Sequence, residues 1–67
     1  MMKLCEFLGP WPPQQEILLY KYDPRIPTFD GPIAKLRYEQ CKGLNVVLVE
    51  YSMNRIYIKV KDMVAHG

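Results

Sequence analysis

Polar and apolar residues alternate without a break from Arg55 to Lys61, with Ile56, Ile58 and Val60 on one side and Arg55, Tyr57, Lys59 and Lys61 on the other. A period of two is the pattern of a half-buried β-strand. The preceding stretch, Asn45 to Tyr51, is rich in β-branched and apolar residues and reads as a second strand. A two-residue loop at Met53-Asn54 predicts a hairpin pairing Ser52 with Arg55, Tyr51 with Ile56, Val49 with Ile58 and Val47 with Val60. Directly opposed residues share a face, so the three apolar pairs point the same way. Asn54 tolerates the positive φ that such a turn demands, whereas Met53 suits it less well.

The same arithmetic extends one strand back. A reversal at Lys42-Gly43 pairs Tyr38 with Val47, Leu36 with Val49 and Ala34 with Tyr51, placing all three strands' apolar sets on one inner face. A slip of one residue would turn each set to water. A helix competes for this third stretch: Asp30 offers an N-cap, Pro32 suits a first turn and Gly43 a stop. On a helical wheel, however, Leu36 lies across from Ala34, Tyr38 and Cys41, so the strand is preferred. Leu18, Tyr20 and Tyr22 alternate, as do Met2, Leu4 and Leu8 with Glu6 as the exception, which adds one or two strands. The predicted fold is therefore all-β and mainly antiparallel. It is a small meander curled into an SH3-like or OB-like partial barrel, because so short a chain cannot leave an apolar sheet face uncovered. The alternative is an α+β arrangement with residues 33–41 as a helix packed on the 45–61 hairpin.

Length bounds the organisation. Sixty-seven residues make one domain, 1–67, with a flexible C-terminal tail expected from about residue 64. A domain of this size buries only about 60% of its unfolded surface, so its core is thin. At 49% hydrophobic the chain has ample surface to hide, which argues against disorder. The net charge of +2 divides into −1 over residues 1–32 and +3 over residues 33–67, too small an excess to demand a polyanionic partner.

Cys5 and Cys41 supply one bridge at most, and two reduced thiols in an intracellular protein are the preferred reading. The N-terminal apolar run is interrupted by Glu6 and closed by prolines, so no secretory signal is expected. No stretch approaches the ~20 apolar residues that span a bilayer. The expected location is cytoplasmic, in a cell or an infected host, without membrane attachment.

Candidate chemistry is sparse. His66, the single histidine, lies beside the C-terminus, where a general base finds no ordered surroundings. The carboxylates are scattered and the four glycines ungrouped, so neither an acid–base pair nor a phosphate loop is implied. Cys5, Cys41 and His66 are three soft ligands with no local pair to seed a site. The expectation is no catalytic residue, no metal and no cofactor: not an enzyme.

The outward face of the predicted meander carries three rows, Lys35–Glu50–Tyr57, Arg37–Leu48–Lys59 and Glu39–Val46–Lys61. Val46, Leu48 and Tyr57 form an apolar centre flanked by Arg37 and Lys59, the anatomy of a protein interface. Trp11, in Pro10-Trp11-Pro12-Pro13, is a secondary anchor if it is exposed. The expected function is a small non-catalytic binding module acting through protein–protein interaction, as accessory subunit, adaptor or inhibitor, with a second copy of the chain among the candidate partners. The alternative is a small nucleic-acid-binding β-barrel using the basic and aromatic face. Glu39, Glu50 and an isoelectric point near 8.6 weigh against it.

Overall fold

The alternating segment does become a strand, and it takes the interior of the sheet. The computed structural model describes residues 2–63. Its elements in chain order are α1 (Leu4–Leu8), β1 (Glu16–Tyr20), β2 (Phe29–Pro32), a 3-10 helix (Ile33–Lys35), α2 (Tyr38–Cys41), β3 (Leu44–Ser52) and β4 (Arg55–Asp62). The expected tail from residue 64, with His66, lies outside the described residues. No helix among the described residues is long and apolar enough to cross a membrane.

The four strands form one mixed sheet in the order β2-β1-β4-β3. β1 pairs with β2 antiparallel and with β4 parallel, and β3 pairs with β4 antiparallel. The sheet has two edges and does not close into a barrel. The mostly-β, mainly antiparallel character holds, while the simple meander does not.

The parallel pair explains the change. Ile17, Leu18, Leu19 and Tyr20 are all buried, as an interior strand covered on both faces requires. Having taken the second side of β4, β1 leaves β3 at the edge rather than in the middle. Residues 33–41 therefore have no place in the sheet. They become a 3-10 helix and one α-helical turn in the connection from β2 to β3, lying over the sheet's apolar face. The Arg37 N–H donates to the Gln40 side-chain oxygen at 3.0 Å and starts that turn, and Gly43 at φ +74° ends the reversal into β3. Of the expected inner set from this stretch, Leu36 packs against the core while Ala34 and Tyr38 are exposed.

The first stretch is likewise a helix and not a strand. Leu4 and Leu8 are four residues apart, so one helical face carries both into the core, with Phe7 beside them. The core consists of Leu4 and Leu8 from α1, Ile17 and Leu19 from β1, Ile56, Ile58 and Val60 from β4, with Cys41 and Leu44.

The hairpin keeps its predicted register from the turn as far as Val49↔Ile58 and Leu48↔Lys59. Met53 and Asn54 take φ values of 52° and 63°, the left-handed pair that a two-residue hairpin loop needs. The Asn54 carbonyl accepts a hydrogen bond from the Gln15 side chain at 2.8 Å, tying the turn to the start of β1. Beyond Leu48 a β-bulge intervenes, and Val46, not Val47, faces Val60.

Candidate functional site

The bulge and the sheet order rearrange the expected binding patch. Glu50↔Tyr57 and Leu48↔Lys59 pair as predicted, on the face away from the helices. Val46 is turned by the bulge to the other face and packs against the core, so it is not part of that patch. Arg37 begins α2 on the helical side and is not beside Leu48. Leu48, Tyr57 and Lys59 thus remain together, with Leu48 exposed and the other two half-buried.

On the same face β1 contributes Leu18 and Tyr20, at 6% and 7% exposure, opposite Tyr57 and Lys59. Arg55 pairs with Asp30 at 3.4 Å, bridging from β4 to β2 across β1. Neither β1 residue stood in the expected patch. The apolar run Ile17 to Tyr20 was the signal, since four consecutive apolar residues mark a strand with two covered faces.

The free edge of β3 is the larger apolar feature. Val47, Leu48, Val49 and Tyr51 are 45%, 48%, 40% and 58% exposed. Among the described residues the outer side of β3 is met only at its beginning. There Lys3 bridges to Asn45 and the Val46 N–H donates to the Met2 carbonyl at 2.8 Å. Trp11 neither enters the core nor stands clear of the surface. It stacks on Tyr51 at 6.4 Å between ring centres, 16° between planes, with Phe7 at 6.4 Å behind it.

On the helical side a groove of about 410 Å³ runs between α1, the proline loop and the residues leading into α2, with Leu8, Trp11, Leu36 and Tyr38 in its walls. Cys5 and Cys41 border this groove and a second hollow on the opposite side. Their Sγ atoms are 2.8 Å apart, and the Cys41 thiol also lies 3.5 Å from the Tyr38 carbonyl, to which it donates. Burial, and then the Cys5 thiol beside it, push Cys41 up to about 11. The spacing of 36 residues gave no sign of this approach.

A third hollow, of about 260 Å³, lies where β1 and β4 end, with Lys21, Lys42, Glu39 and Asp62 around it. Lys21 is bound to Asp62 at 3.1 Å and the four charges cancel, so it offers an anion no net attraction. Among the described residues no three His, Cys, Asp or Glu side chains gather as a metal site. Comparison of the chain with family models, curated proteins and solved structures finds no match.

Proposed function

We propose that the chain is a non-catalytic binding module that takes an extended segment of a partner protein along the free edge of β3. The observation that carries this reading is the nine-residue edge strand Leu44–Ser52 with Val47, Leu48, Val49 and Tyr51 exposed. Edge strands present unpaired backbone donors and acceptors, and proteins usually blunt them with charge or proline. Val46 to Val49 carry neither, and among the described residues only the bulge and the short contact with Met2 and Lys3 interrupt the edge. In a two-residue hairpin the pair flanking the loop exchanges both hydrogen bonds. By alternation Val49 and Tyr51 therefore turn their backbone groups outward. Strand addition supplies affinity through those groups, with Leu48, Tyr57 and Lys59 giving side-chain selectivity on the open face.

A nucleic-acid partner is the weaker reading, because Arg37 stands on the helical side and Arg55 is held by Asp30. The basic groups left along β4 on the open face are Lys59 and Lys61, with Glu50 opposite the neighbouring Tyr57.

The test is affinity capture with the tagged full chain, beside Val49→Pro and Leu48→Asp. Proline at Val49 removes an outward donor while sparing the β4 ladder, and Leu48→Asp alters the open face only. Both variants are expected to stay folded by circular dichroism and to lose the captured partner. A partner retained by Val49→Pro, or bound with a steep salt dependence typical of phosphate contacts, overturns strand addition.

A further inference from the structure

The two cysteines sit on different helical turns, Cys5 in α1 and Cys41 at the end of α2, and meet although 36 residues separate them. Cys5 is exposed and Cys41 is buried. A disulfide needs its sulfurs about 2.05 Å apart, so the observed 2.8 Å leaves an approach of about 0.8 Å. Neither helix exceeds five residues, and turns so short have little rigidity of their own to resist that shift. Hollows on both sides leave room for a small reagent to reach the exposed sulfur.

We propose that Cys5 and Cys41 form a reversible dithiol–disulfide site whose co-substrate is a low-molecular-weight disulfide of the glutathione class. The Cys5 thiolate attacks one sulfur of that disulfide. The small S–S bond breaks, one small thiolate leaves and takes a proton from solvent, and a mixed disulfide remains on Cys5. Cys41 then gives up its proton to solvent and attacks the Cys5 sulfur, forming the internal bond and expelling the second small thiol. The two protein thiols lose two electrons and two protons, and the small disulfide gains both. Access sets the order, because Cys5 is exposed whereas Cys41 is enclosed and its burial favours the protonated thiol.

The closed bond ties α1 to α2 around β1 and β2. α1 is the segment whose leading residues, Met2 and Lys3, cover the start of the β3 edge. Oxidation therefore holds that cover in place, and reduction lets it open more often.

The experiment treats the reduced full chain with oxidised glutathione and follows intact mass, peptide mapping, thermal unfolding and amide exchange. The expected product is lighter by two hydrogens, carries no adduct, joins Cys5 to Cys41 and reverts with excess reduced glutathione. Its Tm rises by about 10 °C or more, as closing a long loop in a small domain implies, and the Val46 amide exchanges several-fold more slowly. Cys41→Ser is expected to stop at a mixed disulfide on Cys5. The mass and mapping of the unaltered chain decide the matter even if that variant unfolds. A stable Cys5 adduct on the unaltered chain, a disulfide between chains, or an internal bond that leaves Tm unchanged overturns the proposal.

Discussion

Ile58 and Leu48 belong to the same hairpin and meet opposite surroundings. Ile58 is fully buried in the core, so truncation to alanine removes a side chain packed on all sides. Ile58→Ala is expected to cost about 2–5 kcal/mol in urea unfolding. Leu48 is half exposed, and Leu48→Asp is expected to cost about 1 kcal/mol, mostly strand propensity. Cys41 gives a pH-dependent counterpart. Its thiol, ordinarily near 9.0, is raised to about 11 by burial first and by Cys5 second, with Glu39 adding to the same direction. The folded state thus holds this proton more tightly than the unfolded one. The stabilisation is complete below pH 9 and is lost as pH climbs towards 11. Urea midpoints of the reduced chain across that range are expected to fall more steeply than those of Cys41→Ser. Parallel slopes would remove Cys41 as a source of the decline.

The hairpin shows what local pattern determines and where it stops. From Ser52↔Arg55 to Leu48↔Lys59 the register was readable, because a two-residue turn and strict alternation leave no other pairing with one face dry. Met53 occupies a left-handed position at φ 52°, a conformation that costs most side chains about 1 kcal/mol and asparagine less. Met53→Asn is expected to stabilise by about 0.5–1 kcal/mol in denaturant unfolding, and no gain would mean that the Met53 side chain compensates elsewhere. Gly43→Ala probes the other reversal. Among the described residues no atom beyond the two chain neighbours lies within 4 Å of the added carbon, so the expected loss of about 1 kcal/mol comes from its φ of +74°. Past Leu48 the pattern no longer decides, since Val46, Val47, Leu48 and Val49 are all apolar and nothing in the run tells which is the bulged residue. That one insertion moved Val46 out of the expected patch. Ala34, Leu36 and Tyr38 alternate like a strand, but their fate was set by β1, which claimed the vacant side of β4 from 39 positions upstream. Cys5 and Cys41 met for the same kind of reason, through an arrangement of distant elements that no short window contains.

The molecule is a sheet with one face roofed by helical turns, and the roof rests on few side chains. Leu4 is fully buried and Leu8 nearly so, both from a helix of five residues that would not persist alone in water. Each buried leucine is worth about 2–5 kcal/mol against alanine. A chain of this length has in total about 3–10 kcal/mol of stability. Loss of both leucines therefore consumes most or all of what holds the fold. The Leu4→Ala, Leu8→Ala double variant is expected to lose near-ultraviolet circular dichroism and to bind a hydrophobic dye, because Ile56, Ile58 and Val60 become wet together. The β3–β4 pairing is local and closed by a turn that Gln15 holds, yet a lone hairpin is marginal without a covered face. Oxidation of Cys5 to Cys41 would offset part of the loss by keeping α1 near the sheet. The double variant is accordingly expected to regain more Tm on oxidation than the unaltered chain does. An equal gain in both would mean that the thiol pair constrains only the unfolded chain and does nothing to seat the roof.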